Sequence, residues 1–83
     1  MLASYLDGAM ELARYEVMEE EGLYWGEVPP CPGVWARGET LPGCQRQLRE
    51  ALSDWIALRL RKGLDLPVIA GIDLNRIGLP SNA

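Results

Sequence analysis

The chain has 83 residues, with 12 acidic and 8 basic side chains, a formal charge of −4 at pH 7, and neither His nor Phe. That length sets a single domain, residues 1–83; a chain this short buries only roughly 60–65% of its unfolded surface, so self-association, as a dimer or tetramer, is the prior expectation. The missing His excludes imidazole catalysis and His-containing zinc sites, the acidic balance argues against a nucleic-acid surface, and no apolar run nears the ~18 residues of a membrane span.

Residues 2–13 place Leu2, Leu6, Met10 and Ala13 at helical spacing, with Tyr5, Ala9 and Leu12 beside them. This predicts a short amphipathic helix docked on a sheet, interrupted by Gly8 at a cost of about 1 kcal/mol relative to Ala. In residues 14–21 the order alternates, Tyr15 and Val17 on one face and Glu16 and Glu20 on the other, with Met18 out of step. Gly22 supplies a turn, residues 23–28 read as a second strand, and the two form a β-hairpin.

Pro29, Pro30, Pro32 and Gly33 then interrupt the pattern. Prolines supply no ladder N–H, so this segment is expected to be an ordered corner in which Gly33 takes a positive φ. Residues 34–39 read as a third strand, with Val34 and Ala36 opposed to Trp35 and Arg37.

A long helix follows. Thr40 is an N-cap, Pro42 sits in the first turn, and Leu41, Cys44, Leu48, Ala51, Leu52, Trp55, Ile56 and Leu60 trace a core-facing stripe. Arg59, Arg61 and Lys62 complement the dipole at its end, and Gly63 is the natural stop. After Pro67, residues 68–74 read as a last strand, and Gly78, Pro80, Ser81 and Asn82 as a polar tail. The order α-β-β-β-α-β predicts an α+β two-layer domain.

Between residues 15 and 74 the features Tyr15-Glu16, Gly22-Leu23-Tyr24-Trp25, Val28-Pro29-Pro30-Cys31-Pro32-Gly33, Gly38-Glu39-Thr40, Ala51 through Trp55, and Leu66-Pro67 follow one another in an order that resembles the HicB-like antitoxin family. The resemblance implies an incomplete ribonuclease H-like fold, with a three-stranded antiparallel sheet, an added C-terminal strand and helices on one face. It also implies a partner, a small basic HicA-type toxin ribonuclease that cleaves mRNA and whose active surface the antitoxin covers. Two features depart from the family pattern. Leu41-Pro42-Gly43-Cys44 stands where acidic residues usually open the helix. The residues after the last strand are too few for the C-terminal DNA-binding module of many members, so DNA binding is not expected.

The side chains that could carry function follow from this. Glu16, Glu19, Glu20, Glu21, Glu27 and Asp73 could form a two-metal carboxylate site, as ribonuclease H chemistry uses, which gives an alternative reading as a metal-dependent nuclease. The blander reading, that Glu19–Glu21 is a solvated hairpin end, is preferred, and no metal, cofactor or catalytic residue is expected. The same strip, Glu19 and Glu20 above all, would match a basic partner electrostatically. Trp55 is expected in the core, whereas Trp25 and Trp35, in the strands flanking the corner of Pro29, Pro32 and Gly33, are candidates for a partner or subunit interface. Cys31 and Cys44 have no imidazole to activate them and are expected as reduced core residues, although spacing alone leaves a disulfide open. The overall expectation is a cytoplasmic antitoxin-like protein without chemistry of its own; an oligomeric module lacking any toxin is a further alternative.

Overall fold

Three alternating runs become one antiparallel sheet. The computed structural model describes residues 2–77, in the order α1 (Leu2–Glu11), β1 (Arg14–Met18), β2 (Leu23–Glu27), β3 (Trp35–Gly38), α2 (Leu41–Lys62) and a single helical turn, α3 (Leu74–Ile77). The strands lie in the order β1-β2-β3 with both pairs antiparallel, so the predicted α+β class is the observed one. The tail read over residues 78–82 lies outside the described residues.

The register assigns the two faces. Tyr15, Gly26 and Ala36 share a row, as do Val17, Tyr24 and Gly38, and these rows face the helices. Arg14, Glu27 and Trp35 form a row on the opposite face, followed by Glu16, Trp25 and Arg37 and then by Met18 and Leu23.

On the helix side the small residues decide how close α2 can come. A methyl group on Gly38 would lie 2.6 Å from the backbone nitrogen of Cys44, and one on Gly26 would lie 2.8 Å from the Tyr15 ring and 3.2 Å from the Cys44 sulfur. The Cys44 thiol donates to the Ala36 carbonyl at 3.7 Å, so β3 and the first turn of α2 are in direct contact. Thr40 caps the helix by accepting the Gly43 N–H at 3.0 Å, and Arg59, Arg61 and Lys62 occupy the last turn.

From this start, Cys44, Leu48, Leu52 and Ile56 recur every four residues and are buried. A helix of 22 residues is about 33 Å long, roughly twice the length of five-residue strands. Its C-terminal half therefore outruns the sheet and takes cover from α1 and the chain after Leu66: Tyr5, Ala9, Leu66, Ile69 and Leu74 complete the core. Trp55, expected inside, lies on the margin of this region instead. It is half-buried, with the Arg59 guanidinium 4.9 Å above its ring. Leu41, at the exposed entry to the helix, and Leu60 are likewise not fully enclosed.

The strand read over residues 68–74 is not part of the sheet. Ala70 and Gly71 have φ of 54° and 73°, and Ile69 and Ile72 exchange both backbone hydrogen bonds, at 3.2 and 2.8 Å. Successive left-handed residues make the mirror-image turn of a two-residue hairpin, which reverses the chain in mid-segment. This small hairpin packs on α1 at Gly8, where a methyl group would lie 2.9 Å from the Ala70 Cβ. The glycine that costs helix propensity thus permits the contact. Tyr5 fixes the same segment by donating its hydroxyl hydrogen bond to the Pro67 carbonyl at 2.6 Å. The Asp7–Arg49 ion pair at 2.8 Å also links the helices, but both partners are exposed and it adds little.

Gly38→Ala is expected to lower unfolding stability by about 1–3 kcal/mol, because the obstructing atoms are backbone and cannot swing away. Exposed Glu39→Ala next to it should change stability by no more than about 0.5 kcal/mol. Urea unfolding midpoints at unchanged slope provide the comparison.

Candidate functional site: the open sheet face and its acidic tip

α1 and α2 lie on one side of the sheet, so the other side carries side chains that no described element covers. At its centre Trp25 and Trp35 stack with ring centroids 4.7 Å apart and planes 8° from parallel. They are diagonal neighbours on β2 and β3, since Trp25 is opposite Arg37 and Trp35 is opposite Glu27. Trp35 is 48% exposed and Trp25 half-buried, an unusual amount of indole surface to leave facing water. Arg14, Glu16, Glu27 and Arg37 surround the pair and are all exposed. Two cations and two anions leave this face neutral on a chain of charge −4.

The acidic residues lie at one end. Met18 and Leu23 close the β1–β2 hairpin, and the loop between them is held by the Glu21 N–H to Met18 carbonyl bond at 3.2 Å and the Gly22 N–H to Glu19 carbonyl bond at 3.3 Å. Glu19, Glu20 and Glu21 are exposed at this tip. Glu16 and Glu27 are instead spread over the open face, and Asp73 is far along the chain, where it accepts the Asn75 N–H at 3.0 Å. Among the described residues no group of three or more His, Cys, Asp or Glu side chains is placed to hold a metal ion. The carboxylates named from the sequence are therefore not gathered into one centre.

The corner between β2 and β3 has the form expected. Cys31 donates its N–H to the Val28 carbonyl at 2.8 Å, Val34 donates to the Cys31 carbonyl at 3.1 Å, and Val28 donates to the Val34 carbonyl at 3.4 Å. Gly33 takes φ 91°, Pro29 and Pro32 face solvent, and Val28, Cys31 and Val34 turn inward to the core. The corner thus positions Trp35 beside Trp25 and supplies no reactive group to the surface.

Cys31 and Cys44 are both free and buried. Burial pushes the Cys31 thiol up to about 11, against a smaller opposing pull from Arg59, and burial also raises Cys44. Burial, with lesser contributions from Cys31 and Asp73, pushes the Tyr5 hydroxyl up to about 12. These groups stay protonated and inert at neutral pH. An apolar crevice of about 270 Å³ between the helices is lined by Leu2, Ala3, Leu6, Ser53, Ile56 and Ala57, with no titratable group among them.

Two features escape a reading of the sequence. Arg14 joins Arg37 on the face of the Trp pair; alternation in residues 34–39 already sets Arg37 beside Trp35, but the place of Arg14 follows only from the register of β1 with β2. Asn75, just past the segment read as a strand, holds both backbone groups of Leu66, accepting from its N–H at 3.0 Å and donating to its carbonyl at 2.8 Å. No local pattern marks that residue.

The class of protein so defined is a two-layer α+β domain with one sheet face left uncovered by the described residues and an acidic hairpin tip. The chain belongs to the UPF0150-like family, whose model matches residues 4–67. It is similar to the crystal structure of TTHA0281 from Thermus thermophilus, at 42% identity and a TM-score of 0.83 over 95% of this chain and 94% of that one. Comparison with curated proteins gives no match. No helix among the described residues is long and apolar enough to cross a membrane.

The raised Cys31 and Tyr5 values carry a stability consequence with a definite sign. A group whose folded pKa lies above its unfolded one favours the folded state while protonated, so its contribution is complete below the unfolded value and is lost as pH rises. Stability should be level near neutral pH, fall from about pH 9 to 11 as Cys31 is titrated, and fall further from about pH 10 to 12 with Tyr5. Urea midpoints across this range check it; Cys31→Ala should reduce the earlier part of the decline, leaving the share contributed by Cys44.

Proposed function

We propose that this UPF0150-like protein is an antitoxin of the HicB type, which binds and occludes a small, basic, mRNA-cleaving toxin ribonuclease of the HicA type. The observation that carries the reading is the exposed acidic tip, Glu19–Glu21, beside an uncovered sheet face with a stacked Trp pair, on a chain of charge −4. Family membership and the HicB-like order of features from Tyr15 to Leu66-Pro67 support it. The proposed action is physical: carboxylates draw in a cationic partner, indoles and aliphatic surface hold it, and the toxin's RNA-binding surface is denied to substrate. Such a protein needs no metal and would work in the cytoplasm, where its toxin acts.

Charge complementarity acts mainly on the encounter rate. Association with a purified HicA-type ribonuclease should therefore slow as salt rises, and the double change Glu19→Lys, Glu20→Lys should reduce the low-salt association rate by about tenfold while leaving dissociation nearly unchanged. Stopped-flow fluorescence of Trp25 and Trp35 follows the reaction. Failure to bind or inhibit a purified HicA-type ribonuclease would overturn the proposal. So would Mg²⁺-dependent cleavage of an RNA–DNA hybrid by this protein that is lost in Glu16→Ala.

A further inference from the structure

The sheet has two free edges, and they are not equivalent. The bond from the Val28 N–H to the Val34 carbonyl fixes which residues of β3 point their backbone groups inward. Hydrogen-bonded pairs alternate in an antiparallel ladder, so Ala36 and Gly38 bond to β2 while Trp35 and Arg37 direct their N–H and C=O groups outward. Among the described residues no hydrogen bond reaches those outward groups. Long flat edges are usually blunted by Pro, by a bulge or by a covering segment. β3 is short and carries Arg37, but it contains no Pro, and among the described residues no segment is hydrogen-bonded along its outer edge.

We infer that β3 is the association edge for a second copy of this chain, pairing antiparallel with its own counterpart about a two-fold axis through Ala36 and building a continuous six-stranded sheet. The register follows from charge. With Ala36 opposite Ala36 of the other copy, each Trp35 faces the other copy's Arg37, and each such pair exchanges two backbone hydrogen bonds. On the open face one row then runs Arg14, Glu27, Trp35, and continues in the second copy through Arg37, Trp25 and Glu16. The symmetric row repeats it in reverse. Every Arg37 lies between two indoles, and no like charges are adjacent.

The alternatives are poorer. Moving the axis to Arg37 sets the two guanidiniums side by side, and moving it to Trp35 brings Gly33, with its φ of 91°, into the ladder. The β1 edge offers Tyr15 and Val17 outward. Its one register that opposes Arg14 to Glu16 is cut short, because Ala13 still bonds back to Met10 in the last turn after α1. The register centred on Glu16 sets Glu16 against Glu16, and the one centred on Val17 carries the pairing into the turn at Glu19. This inference does not rest on the antitoxin reading: it is argued from the outward backbone groups of β3 and the pairing register alone.

Sedimentation equilibrium of the purified protein tests it, with circular dichroism to follow the fold. Arg37→Pro removes an N–H that points away from β2, so the sheet should survive while the assembly falls apart, its dissociation constant rising at least about tenfold. Val17→Pro makes the same change on the β1 edge and should leave the assembly intact. Should Arg37→Pro fail to fold, Arg37→Glu, which keeps the backbone and sets carboxylates against the indoles, must weaken association by a similar factor. A wild-type protein that stays monomeric at about 100 µM overturns the inference. Disassembly by Val17→Pro with Arg37→Glu unaffected does so as well.

Discussion

Everything on the helix side depends on how closely α2 can lie against β3. Two connecting residues, Glu39 and Thr40, separate the end of the strand from the start of the helix, so Cys44 arrives almost on top of Gly38. Only a residue without a side chain fits at that distance, and Gly26 and Ala36 extend the same small surface across the sheet. The Thr40 cap and the contact of the Cys44 thiol with the Ala36 carbonyl then set the direction in which the helix leaves. Bulk at Gly38 would push the whole stripe of Cys44, Leu48, Leu52 and Ile56 off the sheet.

That direction creates the next requirement. Short strands cannot cover a helix of 22 residues, and Leu52 and Ile56 would face water without further cover. Tyr5 and Ala9 of α1 meet them from one side, and Leu66, Ile69 and Leu74 close the other. These pieces are each too short to be stable alone, and long-range hydrogen bonds tie them down: Tyr5 to Pro67, and Asn75 to both backbone groups of Leu66. The C-terminal segment therefore serves the helix and not the sheet, which explains why a sequence rich in Val and Ile after Pro67 does not become a fourth strand.

The sequence makes local elements legible because their signals are local. Period-2 alternation in residues 14–18, the Gly22 turn, the proline corner, the Thr40 cap and the four-residue repeat of Cys44, Leu48, Leu52 and Ile56 each act over one or two turns. What it obscures depends on distant partners. Trp55 fits the apolar stripe yet sits at the margin, because its burial is set by where the sheet ends. Residues 68–74 have β-forming composition, but Ala70 adopts a left-handed conformation that its side chain disfavours by roughly 1 kcal/mol, sustained by the flanking Ile69–Ile72 hydrogen bonds. At the candidate site the residue types were legible in Trp25, Trp35, Glu19 and Glu20. Their separation into a neutral aromatic face and an acidic tip required the strand register.

The separation matters physically. Apolar surface and charge ask different things of a partner: indoles reward close, dry contact of any suitable surface, whereas carboxylates select by sign over several ångströms. Here the two are displaced along the strands, with Glu19–Glu21 beyond the Met18–Leu23 pair and Trp35 at the far end beside the corner. The corner could not give the indoles cover, because its own apolar residues, Val28, Cys31 and Val34, are already committed to the core on the opposite side. Strand alternation therefore forces the choice: each residue that α2 gains as packing surface leaves its neighbours on the open face. The close approach made by Gly26, Ala36 and Gly38 and the exposed pair of Trp25 and Trp35 are two consequences of one register.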